Sequence, residues 1–174
     1  MGIIFVGGVH GVGKGTHCQL FVQRTGIPWF TASSIIKTEK QSAIAVDTKA
    51  VADPVGNQHL LLSGVRRLLT ASPTILLDGH FTILNSDNSI VRIDVEVFNQ
   101  LPLQGIVVLK DNPSKISDRI RQRDGGEWTV ADISLHQDEE ITHAQMVATK
   151  LAIPLFLAEA TDSHGFAKVV EALR

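Results

Sequence analysis

Near the start of the chain, Gly8-Val-His-Gly-Val-Gly-Lys14-Gly-Thr16 packs four glycines, a lysine and a hydroxyl into one short stretch. The backbone N–H groups of such a loop converge on phosphate oxygens, and a helix starting at its end adds partial positive charge. Glycine permits the positive φ angles and the close backbone approach that this needs. Lys14 is then placed to reach β- and γ-phosphates and to neutralise charge that moves during transfer. Gly8, Val9, His10, Gly11, Val12, Gly13, Lys14, Gly15 and Thr16 are therefore the candidate nucleotide-binding residues. A plain glycine turn between a strand and a helix is the competing account, and it leaves the lysine and the hydroxyl unexplained. In the usual pattern Ser or Thr directly follows the lysine, whereas here Gly15 intervenes before Thr16.

Asp78 ends the apolar run Pro73-Thr-Ile-Leu-Leu-Asp78. A carboxylate there can reach magnesium directly or through water, with Thr16 as its partner oxygen; otherwise it only caps a strand end. Arg119 and Arg123 are four apart and share a helix face, while Arg121 points about 200° away. Guanidinium forks match phosphate oxygens and stay charged at any working pH, which makes Arg119 and Arg123 candidate catalytic groups beside Lys14. The alternative is a solvated basic face paired with Asp118 and Asp124. Asp124-Gly-Gly-Glu-Trp128 follows that helix and breaks it with two adjacent glycines.

Positioning these groups requires strands that end where the chemistry begins. Gly2–Gly7, Ile27–Thr31, Pro73–Asp78, Gly105–Lys110 and Ile153–Leu157 read as strands, mostly runs of Ile, Val and Leu. Lys14–Arg24, Thr31–Lys40, Gln58–Leu69, Pro113–Arg123 (with Asn112 as its cap), about Thr129–Lys150 and Asp162–Leu173 read as helices. Ser42–Gly56 joins the second and third helices, and Thr82–Ile93 alternates around Ser86-Asp87-Asn88 as a hairpin or extended loop. Alternating strands and helices predict an α/β fold with a short parallel sheet of about five strands and helices on both faces.

The chain has 174 residues, 44% of them hydrophobic, so a single domain with a sizeable core is expected. Sixteen Lys plus Arg against eighteen Asp plus Glu give a net charge of −2, which argues against a nucleic-acid partner. Cys18 is the only cysteine, so no intrachain disulfide and no cysteine-based zinc site can form. The N-terminus lacks a basic region before its apolar run, Val6 breaks the myristoylation pattern, and no apolar stretch is long enough for a membrane span. A cytoplasmic protein without membrane attachment is expected, and homo-oligomer formation is left open. His17, His59, His136, His143 and His164 show no metal-ligand spacing, Cys18 is expected to pack inside its helix, and Trp29 and Phe30 either border a pocket or fill the core.

Gly-Lys-Gly-Thr16 resembles the P-loop ending of adenylate kinases and related nucleoside-monophosphate kinases. Further along, Ser72-Pro-Thr-Ile-Leu-Leu-Asp-Gly-His-Phe81, Val97-Phe-Asn-Gln-Leu101, Ile116–Asp124 and Leu135-His-Gln137 look most like the compact archaeal-type adenylate kinases. The resemblance implies a P-loop NTPase fold, an acceptor-binding insertion over about residues 31–70, and Arg119 and Arg123 at the edge of a short lid over about residues 124–130, hinged at its glycines, that closes over ATP. It also implies ATP and magnesium as cofactors and a nucleoside monophosphate, AMP, as acceptor. Many adenylate kinases read Asp-Gly-Phe-Pro-Arg after the third strand, and that arginine binds the acceptor phosphate. This chain reads Asp78-Gly-His-Phe-Thr82 instead. Thr31, Lys37, His80 and Arg92 are the candidates for the acceptor contacts.

The expected activity is magnesium-dependent transfer of the ATP γ-phosphoryl group to that small acceptor. A kinase of a hydroxyl-bearing metabolite or nucleoside is the alternative within enzymes, and would draw on Asp78 or His80 as a base. A nucleotide-binding regulatory ATPase is the alternative outside them.

Overall fold

Three runs of branched aliphatic residues build the centre of the molecule. In the computed structural model, which describes residues 2–45, 54–85, 87–125 and 128–174, they are β1 (Gly2–Gly7), β3 (Thr74–Asp78) and β6 (Leu103–Lys110). With β2 (Trp29–Thr31) and β7 (Leu155–Glu159) they form a five-stranded parallel sheet in the order β2-β3-β1-β6-β7. Alternate residues feed opposite faces, as the two-residue strand period demands. Ile4, Val6, Leu76, Val107 and Leu109 join the core beneath α1 (Lys14–Thr25), α5 (Pro113–Asp124) and α7 (Ser163–Ala172). Ile3, Phe5, Ile75, Leu77, Ile106 and Val108 join the core beneath α2 (Ala32–Ala45), α3 (Pro54–Ala71) and α6 (Val130–Leu151).

The α/β fold with helices on both faces agrees with the sequence reading, and several details extend it. Strand β7 begins at Leu155 rather than Ile153: Pro154 has no N–H to give a ladder, although its carbonyl accepts from Ile106. A short helix, α4 (Val95–Asn99), follows the hairpin of β4 (Thr82–Leu84) and β5 (Ile90–Arg92), and Asp94 caps it by accepting from the Glu96 N–H. Helix α5 is capped as expected, with Asn112 accepting from the Ser114 N–H; such a cap contributes about 1 kcal/mol. Residues 46–53 of the acceptor-side insertion and 126–127 of the lid expected over 124–130 lie outside the described residues. Among the described residues, no helix is long and apolar enough to cross a membrane.

Register sets the site. Asp78 lies opposite Val6 of β1 on one side and opposite Thr31 of β2 on the other. The carboxyl ends of β1, β2 and β3 thus bring the glycine loop, the start of α2 and a carboxylate to one rim, where open parallel sheets hold their ligands.

Candidate active site

The loop between β1 and α1 is shaped by glycines at positive φ, 135° at Gly8, 79° at Gly11 and 110° at Gly13. Space excludes other residues as firmly as φ does: a Cβ on Gly8 would sit 2.6 Å from the Leu109 carbonyl oxygen. Gly13 precedes α1 without a side-chain cap, so the first N–H groups of α1 point at the rim with no side chain to satisfy them. Uncapped N–H groups of this kind suit an anion.

Lys14 is buried and folds back over this loop. Its Nζ donates to the Gly8 carbonyl at 2.6 Å and the Val9 carbonyl at 3.4 Å, and lies 3.7 Å from Asp78 Oδ1. Burial lowers the pKa of its ammonium, while the charges of Asp78 and Glu140 pull it back up. Burial likewise raises the Asp78 carboxyl, against the pull of Lys14. Each charge offsets the cost of burying the other.

The loop opens into a cavity of 720 Å³, lined on one side by Val9, His10, Gly11, Gly13, Lys14, Gly15 and Thr16 and on the other by Thr31, Ser33, Asp78 and His80. Gly8 and Val12 lie beneath it, Gly8 presenting its carbonyl to Lys14 and Val12 fully buried in the core. Trp29 forms part of the wall; a Cβ on Gly15 would come within 3.5 Å of its ring. The floor is aromatic, with Phe5 edge-on to both Phe81 and Phe98.

Two of the expected acceptor contacts fall elsewhere. Lys37 is exposed, and its neighbour Ile36 lines the cavity instead, one helical step of about 100° away. Arg92 is exposed on the hairpin, where its guanidinium donates to Glu139 at 2.8 and 3.1 Å. Neither belongs to the cavity wall. His80 does, and burial together with the nearby charges of Lys14, His10 and His136 pushes its pKa down to about 3. It is a neutral imidazole at any ordinary pH.

Arg119 and Arg123 both border the cavity, as one shared helix face requires. Arg119 pairs with buried Asp111 and donates to the carbonyls of Val12 at 3.2 Å and Gly11 at 3.4 Å, bracing the loop from outside. The Arg123 guanidinium contacts the His10 ring. Arg121 points away and lies 3.5 Å from Asp118, both well exposed.

Sequence reasoning missed a polar layer on α6. Glu140 is fully buried and accepts hydrogen bonds from Gly8, Phe81 and Thr82. Gln137 accepts from the Asp111 N–H and donates to its carbonyl, both at 3.1 Å, and His136 Nε2 lies 3.1 Å from Thr82 Oγ1. Spacing gave no warning, because Asp138-Glu-Glu140 reads as a solvated face.

Among the described residues, no group of three or more His, Cys, Asp or Glu could hold a metal on its own. Asp78 and Thr16 both line the cavity beside the loop, a carboxylate and a hydroxyl. That hard-oxygen pair fits magnesium, which keeps several waters and completes its shell with substrate phosphates.

Residues 7–134 match a family model described as an AAA domain. The chain belongs to that family. This AAA domain is 30% identical over 121 residues to an adenylate kinase of Prochlorococcus marinus (strain NATL1A), and 29% identical to that of strain NATL2A. In each case the match covers 67% of this chain and 65% of the relative, so it spans a little under two thirds of the curated relatives' own length. Solved structures share the fold along nearly the whole chain. A gluconokinase from Sinorhizobium meliloti 1021 superposes with a TM-score of 0.52 at 15% identity, covering 99% of this chain and 95% of that one. A shikimate kinase from Bacteroides thetaiotaomicron does so with a TM-score of 0.52 at 16% identity, covering 98% and 96%.

Proposed function

We propose that this chain is an ATP-dependent phosphotransferase that moves the γ-phosphoryl group to a small acceptor held on the Thr31 side of the cavity. The observation that carries this reading is the Lys14–Asp78 pair at the mouth of a glycine cradle, with an acceptor-sized space opening directly beside it. The loop amides and Lys14 hold the phosphates. Thr16 and Asp78 would hold magnesium, which supplies charge neutralisation at the β- and γ-oxygens. Arg119 and Arg123 close on the transferring group from α5, and residues 124–130 act as the lid. One domain serves both substrates, with about 31–70 as its acceptor side, in a cytoplasmic setting.

The acceptor favoured by the likeness to adenylate kinases, the compact archaeal type in particular, is AMP. An oxygen of its phosphate attacks the γ-phosphorus in line, the bond from that phosphorus to the β–γ bridging oxygen breaks, and ADP leaves. The acceptor is already an oxyanion, so the protein needs to supply position and charge rather than a base.

A second reading has its own observation. With Lys37 outside the cavity and Arg92 tied to Glu139, the cations among the described lining residues are Lys14, Arg119 and Arg123, all gathered at the phosphate loop. The acceptor side offers Thr31, Ser33 and a neutral His80 among apolar walls. Such a surface suits a hydroxyl-bearing acceptor, with the Asp78 carboxyl, its pKa raised by burial, taking the hydroxyl proton.

An ATP-consumption screen over all nucleoside monophosphates and over nucleosides and other hydroxyl metabolites tests both. Turnover with a monophosphate supports the first, turnover with a neutral hydroxyl compound the second. Slow hydrolysis unaffected by any acceptor refutes both and leaves a regulatory ATPase.

A further inference from the structure

Glu140 is a carboxylate with no exposed surface, carried on α6 behind the cavity wall, its Oε1 3.9 Å from Nδ1 of the lining residue His80. Its Oε1 accepts from the Gly8 N–H at 3.0 Å and the Phe81 N–H at 3.0 Å. Its Oε2 accepts from the Phe81 N–H at 3.1 Å, the Thr82 N–H at 2.7 Å and the Thr82 hydroxyl at 2.5 Å. His136 Nε2 stands 3.1 Å behind that hydroxyl. Four donor groups from two separate segments therefore meet on one side chain.

Those two segments carry the two halves of the site. Gly8 opens the glycine loop, and its carbonyl is the nearest partner of Lys14 Nζ, so a single residue links Glu140 to the lysine. Phe81 and Thr82 end the segment that starts at Asp78 and includes His80 on the acceptor wall. Beyond the pairing of Gly79 N–H with the Val6 carbonyl, the β1–β3 ladder stops, and the chains diverge. Glu140 bridges them at the point where the sheet no longer does.

We infer that Glu140 is a positioning residue for phosphoryl transfer, holding the donor loop and the acceptor wall at a fixed separation. The inference rests on the phosphotransfer reading above. ATP meets the loop alone, so its ground-state binding depends little on this bridge. In-line attack needs both halves at once, and a displacement of about 1 Å at a distance from the chemistry costs on the order of 100-fold. A glutamine in its place keeps one acceptor oxygen and turns an NH₂ toward the donors the other oxygen served, so either the Gly8 N–H or the Thr82 donors are left facing a donor.

The test compares the parent with Glu140→Gln, Thr82→Val and Thr82→Ser. Acceptor-dependent turnover, ATP affinity by calorimetry without acceptor, and thermal unfolding are measured on each. We expect Glu140→Gln to unfold cooperatively and to bind ATP within about threefold of the parent, while kcat falls roughly 100-fold. Thr82→Val, which removes one of the five bonds, should lose less turnover, and Thr82→Ser should restore it. Turnover of Glu140→Gln within about twofold of the parent overturns the inference. So does an equal loss of ATP binding, turnover and stability in Glu140→Gln, with Thr82→Val at parental turnover, since that marks a purely structural carboxylate. Failure of the phosphotransfer reading itself shows in the parent, as absence of acceptor-dependent turnover, before any variant is compared.

Discussion

Lys14 Nζ and Asp78 Oδ1 lie 3.7 Å apart across the seam between β1 and β3, both largely withdrawn from water. The lysine comes from the first turn of α1 and the carboxylate from the last residue of β3, which pairs with Val6 on one flank and Thr31 on the other. In the phosphotransfer reading proposed above, the pair marks the boundary between the phosphate side and the acceptor side of the cavity.

Lys14→Met keeps the volume of the side chain and removes its charge. Turnover should fall roughly 100- to 1,000-fold, the usual effect of deleting one preorganised charge-stabilising group. Asp78 then loses its counter-charge, so the thermal midpoint should also drop while unfolding stays cooperative. Parental turnover in a folded Lys14→Met protein removes the loop lysine from the mechanism.

Asp78→Asn strips the buried Lys14 ammonium of its counter-charge, so the thermal midpoint should fall while unfolding stays cooperative. Its effect on turnover belongs to the cation: the magnesium concentration for half-maximal turnover should rise roughly 10- to 100-fold. ATP binding measured without magnesium should change little. An unaltered magnesium dependence makes Asp78 a strand-end residue only.

The three arginines of α5 should separate cleanly. Arg123→Ala should lower kcat about tenfold or more with a smaller effect on ATP affinity, because contacts made mainly in the closed state appear in turnover. Arg121→Ala should be nearly silent, since an exposed pair such as that with Asp118 contributes about 0–1 kcal/mol. Arg119→Ala should lower the thermal midpoint as well as turnover, because it strips buried Asp111 of its partner and releases the Gly11 and Val12 carbonyls. Equal, small effects at all three positions describe a solvated basic face instead.

His80 predicts a pH dependence of stability. The unfolded chain binds a proton there below about pH 6.5, whereas the folded imidazole resists protonation down to about 3. Between those values the unfolded state holds more protons, so stability falls as pH falls through that window. His136, also pushed down by burial, acts with the same sign. Thermal midpoints recorded from about pH 7 to pH 4 should decline less steeply in His80→Asn than in the parent. Identical slopes contradict the assignment.

The fold was legible because its signals are local and strong. Ile3-Ile-Phe-Val6, Ile75-Leu-Leu77 and Ile106-Val-Val-Leu109 are apolar on every residue, as strands covered on both faces must be. The glycine loop between β1 and α1 was legible because its glycines, lysine and following helix are contiguous. Lys37 and Arg92 were misjudged because sequence distance does not report rotation: one residue along α2 or β5 turns a side chain away from the cavity. The bonding roles of Glu140 and Gln137 were invisible for a different reason. Their partners lie in remote segments, and a buried carboxylate on a helix cannot be told from an exposed one until the chain has folded around it.

Helix α6 ties four buried polar side chains to remote segments: His136 to Thr82, Gln137 to Asp111, Glu140 to Gly8 and Thr82, and His143 to the Ile93 carbonyl at 2.6 Å. Apolar packing tolerates sliding and changes of volume, but directional bonds of this kind fix both the axial position and the rotation of a helix. For anyone engineering the protein toward new acceptors, α6 is the chassis. The faces of α2, the hairpin and α4 that line the cavity are the exchangeable panels, and they can be redesigned together while the chassis keeps the phosphate loop aligned.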